Sequence, residues 1–190
     1  FVKTRINGSM RTMALAVLFS CSSTSLWAQG LKDAYKDYFM IGVAVNQRNV
    51  TNASQSALVK QEFNSMTAEN DMKPEPTEPR EGEFNWTSAD RIANFARQNG
   101  IKLRGHCLMW HSQIGKWMYE DNPTKEVFFK RMRNHIHTIV NRYKDVIYCW
   151  DVVNEAITDD RNAADPYRQS PLYKIAGDEF IAKAFEYARE

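Results

Sequence analysis

Apolar runs of strand length alternate with stretches of helical period along most of this chain. YFMIGVAVN (38–46) is apolar and bounded by polar residues, which predicts a strand. SQSALVKQEFNSM (54–66) spaces Ala57, Leu58 and Phe63 as on one helix, behind a Ser cap. TAENDMK (67–73) predicts a short strand running into a polar loop, beyond which Pro74, Pro76 and Pro79 are expected to forbid regular structure. SADRIANFARQNG (88–100) predicts a helix capped by Ser88 and stopped by Gly100. A third strand, IKLRGHCLMWH (101–111), precedes TKEVFFKRMRNHIHTIVNRYK (124–144), where Val127, Phe128, Met132, Ile136, Ile139 and Val140 recur at helical spacing. The apolar run that opens VIYCWDVVNEAITDD (146–160) suits a fourth strand buried on both faces. GDEFIAKAFEYARE (177–190) predicts a last helix with Ile181, Ala184, Phe185 and Ala188 on one face.

Four β-then-α units in succession imply parallel strands joined by right-handed crossovers, an α/β fold. Chemistry in such folds gathers at the C-terminal ends of the strands. No glycine-rich phosphate loop follows any strand, which argues against a nucleotide-binding sheet. The strand ends are instead rich in side chains suited to a polyhydroxylated ligand. The second delivers Glu69, Asn70, Asp71 and Lys73; the third carries His106, Trp110, His111 and Gln113; the fourth ends in Asn154 and Glu155, with Asp159 and Asp160 just beyond. Amides and charges match sugar hydroxyls, and indole faces match the C–H sides of the rings.

Each residue alone also has a plainer reading. Glu69 and Lys73 suit a solvated ion pair, Trp110 a core position, and Glu155 a cap on a following helix. His106 and His111, five apart, do not match a helical zinc site, so no metal is expected. Three strand ends agreeing favours a site.

At these residues the chain resembles glycoside hydrolase family 10, the endo-β-1,4-xylanases. The resemblance is carried by RGHCLMWHSQ (104–113), WDVVNEA (150–156) and TAENDMKPE (67–75), joined by GEFNWTSADRIANFARQNGIKLRGH (82–106), and runs from about Leu31 onward. It implies a (β/α)8 TIM barrel, of which these are about the first four βα units, and retaining cleavage of internal β-1,4 bonds in xylan. It also implies that Glu155 is the general acid/base and that Asn154 binds the 2-hydroxyl of the sugar at the cleavage point. Glu69, Asn70, Lys73, His106, Trp110 and Gln113 fall on residues that hold the non-reducing-side xylose units. Cys107 stands where the family commonly has Thr, and Asp71 where it commonly has Glu. The nucleophilic carboxylate is expected on a later strand, after Glu190; Asp159 and Asp160 follow Glu155 too closely to supply it. The 190 residues alone are therefore expected to be inactive. The alternatives are a non-catalytic xylan-binding half-barrel and a related β-1,4-glucanase.

The chemistry assigns Glu155 a demanding position. A general acid near neutral pH needs a carboxyl above the ordinary value of about 4.3, so a half-dry cleft beside a second carboxylate is expected.

Composition adds limits. Apolar residues are 43% of the chain and aromatics 12%, which excludes a disordered chain. A formal charge of +2 gives no reason to expect nucleic acid, and the expected partner is xylan or a xylooligosaccharide bound by a monomer without a cofactor. Residues 10–28, MRTMALAVLFSCSSTSLWA, read as a secretory signal within a leader spanning 1–28, with the hydrolase domain over 29–190. The product is then secreted or periplasmic; a competing reading takes LFSC as a lipoprotein signal, with Cys21 acylated on an outer surface. Removing 1–28 takes Lys3, Arg5 and Arg11 and no acid, which moves the formal charge from +2 to −1. Cys107 and Cys149 remain, expected as buried free thiols in core strands.

Overall fold

The computed structural model describes residues 29–190; the leader assigned to 1–28, with Cys21, lies outside the described residues. Strands β1 (Gly42–Val45), β2 (Ser65–Ala68), β3 (Lys102–Trp110) and β4 (Ile147–Asn154) form one parallel sheet in chain order. That is the arrangement of about four βα units of a (β/α)8 barrel, with β1 and β4 as edges.

The helices are α1 (Leu31–Ala34), α2 (Gln47–Thr51), α3 (Ala53–Glu62), α4 (Pro74–Thr77), α5 (Thr87–Asn99), α6 (Lys125–Tyr143), α7 (Pro171–Ala176) and α8 (Glu179–Arg189), with a 3₁₀ turn at Lys116–Met118. Two of them depart from expectation for capping reasons. Asn46 accepts from the backbone of Arg48 and Asn49 while Asn49 reaches back to Asn46, a reciprocal cap that starts α2 directly after β1. In α4, Pro74 stands at the first position, where a missing N–H costs nothing, so the proline-rich segment is helical rather than irregular.

Three further expectations are corrected. Trp86, not Ser88, caps α5, with no side-chain hydrogen bond; Gly100 ends the helix as expected, at φ 61°. In α3 the buried residue is Val59, while Leu58 is exposed. In α8 Phe180 and Ala184 face inward and Phe185 is exposed, a rotation of the expected apolar face.

The core lies between the sheet and α5 and α6. Leu103 and Met109 of β3 are fully buried with Ile92, Ala93 and Ala96 of α5 and Phe128, Met132, Ile136 and Ile139 of α6. Each large side chain so buried contributes about 1.5–3 kcal/mol. Val127 of α6 is exposed and His135 is buried in its stead, because its Nδ1 lies 2.6 Å from Glu78 Oε2. Glu78 Oε1 accepts from Gly82 N at 2.8 Å, and its carbonyl accepts from Trp117 Nε1 at 2.9 Å. The loops after β2 and β3 are thereby tied to α6 beneath the strand ends.

Strand β4 is not buried on both faces: Val152 is its one buried residue, Tyr148 is exposed, and Cys149 is half-buried rather than buried. An edge strand has a neighbour on one side only, so apolar sequence does not ensure burial. Gly105 of β3 pairs with Trp150 of β4, and a Cβ built on Gly105 would overlap the Trp150 ring. Glycine there lets the indole lie flat on the helix side. The alternate residues Arg104, His106 and Asp151 share the opposite, concave face.

Candidate active site

The sheet register brings three of the predicted strand ends together. β3 and β4 shift register between His106 and Met109, and beyond the shift Trp110 stands opposite Asn154. The indole Nε1 of Trp110 donates to Glu155 Oε2 at 2.9 Å. His111 Nε2 lies 4.0 Å from the same oxygen. From the other side, the Lys73 ammonium stands 4.4 Å from the Trp110 ring centroid and donates to Asn70 Oδ1 at 2.8 Å. Gln113 Nε2 reaches the same oxygen at 3.4 Å, and Glu75 N donates to Gln113 O at 3.0 Å, which laces the two loops together. With two donors on its oxygen, Asn70 has its amide nitrogen left for a ligand.

Lys73 is therefore no solvated partner of Glu69: its residue is 7% exposed, and the plain ion-pair reading fails. Glu69 sits at the outer end of the row, where Asn46 Nδ2 approaches its Oε2 at 3.4 Å. His106 faces the concave side with Nδ1 3.0 Å from Asp151 Oδ2, so the opposite ring nitrogen is the one presented outward. Burial alone would push Asp151 up, but hydrogen bonds from Arg104 and His106 outweigh it and hold the carboxyl below its ordinary range. An ionised Asp151 fixes the His106 ring. The side chain of Asn154 makes no hydrogen bond among the described residues.

Glu155 is the most unusual residue of the group. Its φ is 52°, a left-handed conformation that non-glycine residues seldom adopt and that clusters at functional sites. Its side chain is 48% exposed, more open than the half-dry cleft expected, because it stands at the end of edge strand β4. No helix starts at Glu155, and α7 begins only at Pro171, so capping does not explain it. Asp159 is 91% exposed and paired with Arg168 at 2.7 Å rather than turned toward Glu155.

Sequence reasoning passes over Arg168 and Asp151, whereas His111 was already legible at the end of the third strand. The His111 imidazole lies below its ordinary pKa: burial lowers it most, the Arg168 charge lowers it further, and Glu155 and Asp159 only partly oppose them. Arg168 donates from Nε to the Glu155 carbonyl at 3.0 Å, from a loop without periodicity. Asp151 had a legible signal, a charge inside an apolar strand run. Cys107, behind this surface, is buried, and its thiol is pushed up to about 12, so it is inert packing.

Residues 30–190 match the model of glycosyl hydrolase family 10. An endo-1,4-beta-xylanase/feruloyl esterase of Xylanibacter ruminicola is 59% identical over 175 residues, covering 85% of this chain and 24% of that protein. Endo-1,4-beta-xylanase A of Caldicellulosiruptor saccharolyticus is 42% identical, covering 91% of this chain and 51% of its own length. Among solved structures, a psychrophilic family 10 endo-beta-1,4-xylanase superposes with a TM-score of 0.83 at 64% identity, over 85% of this chain and 52% of that one. Xylanase B from Clostridium stercorarium F9 gives 0.78 at 39% identity, over 84% and 51%. The chain thus spans about half the length of these structures.

Proposed function

Because this chain belongs to glycosyl hydrolase family 10, we propose that it carries the acid/base half of an exported endo-β-1,4-xylanase acting with retention. The observation that supports this most directly is the hydrogen bond from Trp110 Nε1 to Glu155 Oε2, which aims the carboxyl into a row of sugar-binding side chains. In the first step a second carboxylate attacks the anomeric carbon while Glu155 gives its proton to the glycosidic oxygen; the C–O bond breaks and a glycosyl ester forms. In the second step Glu155, now a carboxylate, takes a proton from water as the water oxygen attacks the same carbon. The sugar is released and the attacking carboxylate is restored.

The other residues hold the xylose units on the non-reducing side. Lys73, Asn70 and Gln113 form one connected hydrogen-bonding edge, Glu69 extends it outward, and Trp110 offers a ring face. His106, oriented by Asp151, and Asn154 meet the sugar at the cleavage point. The apolar leader at residues 10–28 supports export.

The test is hydrolysis of beechwood xylan by the product of the complete open reading frame encoding this chain, with and without Glu155→Ala. The variant should lose about 10²–10⁴-fold in kcat/KM, the range for one general acid/base. Full activity in Glu155→Ala would end the assignment.

A further inference from the structure

The loop after β4 leaves Glu155, runs outward and returns, and the returning limb is bonded back to the outgoing one. Thr158 N donates to Pro166 O at 2.8 Å, Arg168 N donates to Ala156 O at 2.8 Å, and Ile157 bridges Tyr167 in antiparallel fashion. Tyr167 stacks on Tyr173 of α7 at 5.6 Å, and the Tyr173 hydroxyl donates to Asp165 at 2.7 Å, so the returning limb is anchored to a helix. Arg168 closes this loop twice, once through its backbone and once through its side chain. The guanidinium donates from Nε to the Glu155 carbonyl at 3.0 Å and from Nη2 to Asp159 at 2.7 Å. The Arg168 side chain is 25% exposed, whereas its partner Asp159 is open to solvent.

The carbonyl it grips belongs to the residue with φ 52°. A left-handed glutamate persists only when its surroundings over-determine it. Were φ to relax to a negative value, the Cα–Cβ bond would swing and the carboxyl would leave the Trp110 indole. A planar guanidinium presents its donors in a fixed fork, which a lysine ammonium cannot reproduce at two separated acceptors.

We propose that Arg168 is a positioning residue for the acid/base carboxylate, its guanidinium locking the left-handed backbone of Glu155 by bridging that residue's carbonyl to Asp159. The inference rests on the reading of Glu155 as general acid, and the test separates the two. Arg168 bonds the backbone carbonyl of Glu155 and not its carboxyl; it sets where the proton donor stands. Steps that need no proton donor are therefore insensitive to its loss.

The experiment uses the product of the complete open reading frame and two substrates, xylan and 2,4-dinitrophenyl β-xylobioside, whose leaving group departs without a proton. Glu155→Ala serves as reference, and thermal melts establish that each variant is folded. Arg168→Ala should lower kcat/KM on xylan by about tenfold, a fraction of what a whole general acid provides, and leave the dinitrophenyl substrate within about twofold. Arg168→Lys, which keeps the charge and is the safer variant for folding, should resemble Arg168→Ala. If Glu155→Ala itself lost both activities equally, the acid reading would fail whatever Arg168 did. If Glu155→Ala were selective but Arg168→Lys matched wild type, or either Arg168 variant slowed both substrates alike, the positioning role would be overturned.

Discussion

Replacing Lys73 by Met separates holding a ligand from holding the fold. The residue is 7% exposed, yet its ammonium has a single side-chain hydrogen bond, 2.8 Å to Asn70 Oδ1, and one ring contact, 4.4 Å to the Trp110 centroid. An ammonium carries three donors, so its removal from water is only partly compensated, and the residual penalty is several kcal/mol. Against that stand a charge-assisted hydrogen bond of about 1.5–3 kcal/mol and a desolvated cation–π contact of about 2 kcal/mol. The two sides nearly cancel, and Met keeps the volume and unbranched shape of the lysine stem. Stability should change by no more than about 1 kcal/mol, or about 2–4 °C in Tm for a chain of this size. Under the proposed function, xylotriose binding by the product of the complete open reading frame should weaken about ten- to hundredfold, since a ligand hydroxyl would lose its charged donor. Circular-dichroism melts and titration calorimetry on the same preparations read both. A Tm drop beyond about 8 °C with binding unchanged would refute the reasoning and make Lys73 structural.

Three further outcomes follow from particular contacts. Gly105→Ala should cost at least about 1–3 kcal/mol in urea unfolding, because its Cβ overlaps the Trp150 ring; an unchanged midpoint would mean the indole has room to move. Glu78→Ala should cost about 3–5 kcal/mol, since it strands the fully buried His135 and Gly82 N, whereas Glu83→Ala, removing an exposed partner of Arg80, should stay within about 0.5 kcal/mol. Imidazole NMR titration should find His111 below the ordinary value of about 6.5, lowered further by Glu155→Gln and raised by Arg168→Gln. The folded value is depressed, so the stability His111 contributes is present above about pH 6.5 and is lost as pH falls below it. His111→Asn should flatten that part of the pH–stability curve, and a His111 indifferent to both substitutions would contradict the charge arrangement.

The sequence by itself determined the four βα units, their parallel order and the residue types at the strand ends. Periodicity of two against 3.6 is local, and crossover handedness follows from chirality, so neither needs the finished fold. Glu155 and Trp110 were legible as candidates only together, since each alone suits a cap or a core position and it was the agreement of three strand ends that singled them out. Local chemistry also decided α2 and α4, through Asn46 with Asn49 and through Pro74, although hydrophobic pattern alone passed over both.

Only the tertiary structure decided what those side chains do to one another. The register shift in β3 sets Trp110 against Asn154, and Lys73 is dry because Trp110, 37 positions away, lies beneath it. Arg168 reaches Glu155 from a loop whose return path no periodicity encodes. Burial of β4 likewise depended on what lies beside it, and an apolar run carries no information about its neighbours. Electrostatics and desolvation act through space at a few ångströms, whereas sequence pattern reports only on residues along the chain, so the ligand-facing geometry became readable only once the strands were side by side.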